Sequence, residues 1–184
     1  MINVDPNQLQ HIRPLTWEEV FDVCRQNEAS NPAWIKHYQS KGFSSWEEWR
    51  NATHGPINGD EREWYLYRVL NPLESVPTFR GGPFKSWKKM YFEGKDSPRF
   101  SELILHPGLQ NHDGLEKLIA GFPKATTISG LMAGGNIYTI EGMHRCCAMV
   151  LAAQRGLHLT TELSLMLAEY PEPSLPELGT GPKE

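Results

Sequence analysis

Apolar positions in the first half of the chain recur at helical spacing and are punctuated by capping signals. Thr16-Trp17-Glu18-Glu19 and Ser45-Trp46-Glu47-Glu48 each fit a capping box, in which a hydroxyl and a carboxylate three residues later satisfy orphan amide donors. They predict helix starts near residues 17 and 46. Between them Asn31-Pro32 introduces Ala33-Trp34-Ile35-Lys36-His37-Tyr38, a third helix with proline in its first turn and Gly42 at its end. The string Glu63-Trp64-Tyr65-Leu66-Tyr67-Arg68-Val69-Leu70 is too short for its length to arbitrate between helix and strand. Helix is the expectation there.

The second half has a different pattern. Glu102-Leu103-Ile104-Leu105-His106 reads as a strand stopped by Pro107-Gly108, and Asp113 caps a short helix through Leu115, Leu118 and Ile119 that Gly121 closes. Thr126 to Met132 and Asn136 to Ile140 are apolar, β-branched runs separated by Ala133-Gly134-Gly135, a hairpin pattern. Met143 to Arg155 is an alanine-rich helix stopped by Gly156, and Thr161 to Ala168 a final strand. Pro171, Pro173, Pro176 and Pro182 discourage regular structure in the tail. The expected order is β-α-β-β-α-β.

Charge sharpens the division. The 184 residues carry a formal charge of -4, yet the segment from Arg80 to Arg99 holds six basic residues against Glu93 and Asp96. All six tryptophans fall within the first 87 residues. A weakly acidic chain argues against a general nucleic-acid binder and leaves only the 80–99 segment for such contacts. The three cysteines, Cys24, Cys146 and Cys147, form no disulfide framework and suit a reducing compartment. Without a long apolar span or a signal-like start, the expected location is cytoplasmic. The implied layout is a helical Trp-rich subdomain at 1–79, a basic connector at 80–100, an α+β core at 101–170 and a tail at 171–184.

The string richest in chemistry is Ile137-Tyr138-Thr139-Ile140-Glu141-Gly142-Met143-His144-Arg145. A strand runs through a glycine turn into a helix whose first turn carries two potentially cationic side chains. Helix-start amides lack internal partners and the dipole is positive there, so a phosphate fits, with Gly142 allowing close approach and His144 and Arg145 as donors. The same residues admit a plainer account, in which Glu141 pairs with Arg145 four positions on and His144 lies on the surface.

The EGMHRCCAM string, between a hairpin and a helix in β-α-β-β-α-β order, resembles the signature of the ParB/sulfiredoxin superfamily over about residues 101–168. That resemblance implies a nucleotide site at the glycine turn, and an activity among nucleotide hydrolysis, sulfinic-acid reduction, small-molecule phosphorylation and nuclease action. Sulfiredoxins carry a catalytic cysteine where this sequence has Met143, whose thioether cannot replace it. The partition proteins continue into a helix-turn-helix for which the residues after the last strand leave no room. Serine kinases of this fold fit better, with an acidic residue where Glu141 stands. The resemblance thus implies ATP or ADP, with Glu141 as base or magnesium ligand and a small hydroxyl compound or water as acceptor. A non-catalytic regulatory or protein-interaction module is the competing class, and a nuclease a third.

Further candidates follow from position. By the resemblance, Lys117 stands near phosphate-contacting residues and His106 near a catalytic arginine. Asn111, His112 and Asp113 lie in a loop that approaches a phosphate or a metal, though all serve equally as ordinary turn residues. Lys85, Lys88 and Lys89 beside Trp87 make a solvated helix face, a nucleic-acid patch, or a lid hinged at Gly81-Gly82. The tryptophans of the first half are expected to build core rather than an aromatic cage. Cys146 and Cys147 are expected to be buried structural thiols. No zinc pattern occurs.

Overall fold

The computed structural model describes residues 2–180. They fold as an α+β protein around one six-stranded mixed sheet, with helices on both faces. In chain order the elements are β1 (Leu9–Leu15), α1 (Trp17–Glu28), α2 (Pro32–Ser40), α3 (Trp46–His54), β2 (Trp64–Val69), α4 (Pro72–Ser75) and β3 (Arg80–Gly81). There follow α5 (Lys85–Tyr91), α6 (Phe100–Leu103), α7 (Pro107–Gln110), α8 (Asp113–Ala120), β4 (Ala125–Ala133), β5 (Asn136–Glu141), α9 (Met143–Gln154) and β6 (Glu162–Glu169). The strand order is β1-β2-β6-β4-β5-β3. β4 runs parallel to β6 and β3 parallel to β5, while the other neighbours are antiparallel.

The capping signals mark the helix starts. Thr16 and Glu19 complete a reciprocal box, and the Ser45 hydroxyl accepts from the Glu48 amide at 3.1 Å, although the Glu48 carboxylate turns to Ser44 instead of to the Ser45 amide. The hairpin between β4 and β5 turns on Gly134 and Gly135, both at positive φ, as a two-residue turn of primed type requires. Two expected elements are corrected. Residues 64–69 form a strand, not a helix: Tyr65, Tyr67 and Val69 pack on the α9 side while Trp64 and Leu66 pack on the α1 side. Both faces are covered, so the polar alternation that would have marked a strand is missing. Residues 102–106 are not a strand: they close α6 and turn into α7. Phe100, Leu103 and Ile104 are buried at helical spacing, Leu105 is 65 % exposed, and Glu102 accepts from the Arg99 amide at 2.9 Å. The strand preceding these helices is instead the short β3, and β1, which the sequence pattern did not flag, forms the opposite edge.

β1 and β2, from the Trp-rich region, pair onto β6, so the two halves of the chain share one sheet. One core lies between the sheet and α9, α6 and α8, with Ile128, Leu103, Leu115, Leu151 and Leu165 fully buried. A second joins the opposite sheet face to α1, and a third joins α1, α2 and α3 through Phe21, Tyr38, Trp46 and Trp49. The tail contributes Leu175 and Leu178 to the second core, and the Leu178 carbonyl accepts from the Lys85 amide at 2.9 Å. Pro182 lies outside the described residues. No helix of the described residues is long and apolar enough to cross a membrane.

Candidate functional site

β5 delivers its last residue, Glu141, to the turn at Gly142, and α9 starts immediately after it. Gly142 sits at φ 97°, and a Cβ there would come within 2.4 Å of Ile128 Cγ2. Close packing against β4 therefore accounts for this glycine without reference to a ligand. Met143 is buried, and its sulfur accepts from the Gly82 amide at 3.2 Å, tying α9 to the chain after β3. Gly81 and Gly82 are themselves packed tightly, since a Cβ on Gly82 would lie 2.5 Å from the Thr139 carbonyl oxygen. That packing, and not a hinge, explains the glycine pair.

Arg145 and Glu141 form a nearly closed ion pair. One guanidinium nitrogen bonds both carboxylate oxygens of Glu141, the longer contact at 2.6 Å; the other bonds the Thr126 hydroxyl and, at 2.8 Å, the Thr127 carbonyl. The four hydrogens of those two nitrogens are all engaged, so only Nε–H remains of the fork's five donors. Glu141 is buried, and burial raises its carboxyl above the ordinary range while Arg145 pulls it back. Thr126 and Thr127 were not anticipated. The hairpin register alone does not give them: counting back from Gly134-Gly135 sets Ser129 opposite Ile140, and a bulge between Ser129 and Gly130 moves it to Glu141, with the threonines just beyond.

On the other side of the α9 head, rings gather from four elements. His144 lies edge-on to Trp87 of α5, with centroids 5.0 Å apart, and tilted against His112, the residue before α8, at 5.7 Å. Trp87 meets Tyr91 at 5.1 Å, and Tyr91 meets His106, the residue before α7, at 5.4 Å. His144, His112, His106 and Trp87, scattered through the sequence, are thus joined into one chain of rings, with Tyr91 as an unanticipated link. Burial, and secondarily the neighbouring His112, depress the His144 pKa to about 4, so its imidazole is neutral at pH 7. The His112 Nδ1 is buried without a partner among the described residues. No family model matches the chain. Nor does any curated protein or solved structure.

The remaining candidates are peripheral to this cluster. Lys88 reaches Glu177 at 3.5 Å and Asp96 at 3.9 Å, and Lys85 reaches Glu177 at 4.0 Å, so the basic run is partly matched by the acidic tail. Lys117 and Asp113 are exposed on α8, and the Asn111 side chain bonds the Pro107 carbonyl. Cys146 is buried, its thiol pushed up to about 12, and burial raises Cys24 and Cys147 as well, so none is an activated nucleophile. A magnesium ion would require a free Glu141 oxygen, and Arg145 occupies both. Among the described residues no three His, Cys, Asp or Glu side chains converge on a metal-sized site. The residues present do not fit the metal.

Proposed function

We propose that the chain is a phosphate-binding module of ParB/sulfiredoxin-like character, taking the phosphoryl group of a nucleotide or another small phosphorylated ligand at the head of α9. The observation that carries this reading is the meeting of His144 and His112 at the start of a twelve-residue helix whose first amides have no intrahelical partner. Arg145 is a scaffold in this reading: it fixes Glu141 and Thr126 and leaves the phosphate to amides and imidazoles. Trp87 is buried between His144 and Tyr91, which favours a role as the wall of the site over one as a platform for a nucleotide base. Catalysis by Glu141, as a phosphotransferase or hydrolase would need, is the less supported reading, because both carboxylate oxygens are already paired.

Calorimetry with ATP, ADP and inorganic phosphate, with and without magnesium, tests the proposal. Binding at millimolar ligand or tighter, weakened about 5- to 10-fold by His144→Asn and independent of magnesium, is the expected result. Absence of binding by all three ligands overturns it. Turnover of ATP that requires magnesium and is lost in Glu141→Gln would restore the enzyme reading.

A further inference from the structure

A second place in the molecule has the makings of a binding site and shares no residue with the first. Where β1 and β2 form the end of the sheet, an open cavity of about 530 Å³ lies beside the segment 2–10. Its volume is within the range of small-molecule sites. Ile2, Val4, Leu9 and Leu70 supply apolar wall, and among the described residues no Asp, Glu, Lys or Arg lines it. Leu70 is 42 % exposed and lies at the cavity.

Two polar groups of the lining are unsatisfied. Tyr67 is 1 % exposed and its hydroxyl completes no hydrogen bond among the described residues, although the Ile2 backbone lies close to the oxygen. The His11 Nε2, on the ring edge-on to Tyr67 at 5.6 Å, is likewise buried and unpartnered. Buried polar atoms are normally satisfied, and these two sit side by side in an apolar wall. His11 adjoins the bulge in β1, where the register shifts between His11 and Arg13. Such bulges re-aim side chains near functional sites.

We propose that this cavity binds an uncharged small molecule with an apolar body and one hydrogen-bond acceptor, which displaces the Ile2 backbone to accept from the Tyr67 hydroxyl. A charged ligand is disfavoured because no Asp, Glu, Lys or Arg among the described lining residues would compensate it on leaving water. The test uses acetophenone, whose carbonyl supplies the acceptor, against ethylbenzene, of nearly the same shape without it, and benzoate, which adds a charge. Each is titrated into the ¹⁵N-labelled protein and followed by amide chemical shifts. Acetophenone is expected to give saturable shifts centred on residues 2–11 and 67–70, with ethylbenzene and benzoate each at least about fivefold weaker. Tyr67→Phe is expected to erase the preference for acetophenone over ethylbenzene. Absence of saturable shifts in those residues, or equal binding of acetophenone and ethylbenzene by the wild-type protein, overturns the proposal without relying on any variant.

Discussion

Two arginine–glutamate pairs occupy opposite ends of the chain, and they are built differently. In the helical layer Arg50 of α3 holds Glu28 of α1, with Nε to Oε2 at 2.7 Å, while the Trp46 indole donates to the same oxygen at 3.0 Å. Both side chains are 6 % exposed, and the guanidinium lies 4.6 Å from the Trp49 ring centre and 5.8 Å from that of Trp34. The aromatic cage of the first half is therefore filled by the protein's own cation. At the head of α9, Arg145 also closes on a glutamate, but the imidazoles of His144 and His112 and a helix start lie nearby. A pair enclosed by aromatic rings serves packing, whereas one bordering a helix start would, on the proposed reading, serve as scaffold for a phosphate site.

The largest expected effect breaks the enclosed pair. Arg50→Met leaves Glu28 buried with only the Trp46 indole as donor, and is expected to cost about 3–5 kcal/mol in denaturant unfolding. The double variant Arg50→Met with Glu28→Met removes both charges and should recover most of that loss; a double variant no more stable than the single would refute the assignment of the cost to a stranded charge. Glu141→Gln is expected to cost less, about 2 kcal/mol, because Arg145 keeps Thr126, the Thr127 carbonyl and the new amide oxygen as acceptors. Equal losses at the two sites would erase the contrast between them.

The difference between these regions also explains what the sequence made legible. Helix starts were readable because capping is local chemistry: Thr16 and Glu19 need only each other. The Glu141–Arg145 pair was readable for the same reason, being four residues apart on one turn and helix. The Glu28–Arg50 pair joins two helices and left no trace in spacing. The ring chain from His106 to His144 was legible only as separate candidates, since tertiary packing brings α5, α7, α8 and α9 together. Misread segments failed where burial overrode pattern: β2 lies inside the sheet and lacks alternation, while Leu103 and Ile104 looked like a strand because the fragment was read without Phe100.

Acid gives the smallest effect and the finest contrast. Burial holds His144 at about 4 and His54 of the helical layer well below 6.5, with the Arg50 charge adding to the depression of His54. Between these values and 6.5 the unfolded chain binds protons that the folded chain refuses, so stability is full above about pH 7 and falls as pH drops through 6.5 toward 4. The His144 share of the loss between pH 7.5 and 5.5 is about 1 kcal/mol. Glu141, raised by burial, acts with the opposite sign, but it is unchanged in His144→Asn, so subtracting the variant's pH profile from the wild type's isolates the imidazole. The expected difference is a shallower acid slope in the variant, the remaining slope including His54 and His37, both lowered by burial, and the opposing Glu141. If phosphate occupies the head of α9 beside His144, adding it should shrink the wild-type slope as well, because a bound anion makes protonation of that imidazole less costly. Identical slopes for wild type and variant would mean that His144 titrates freely, and that the head of α9 does not hold its imidazole neutral as the helical layer holds His54.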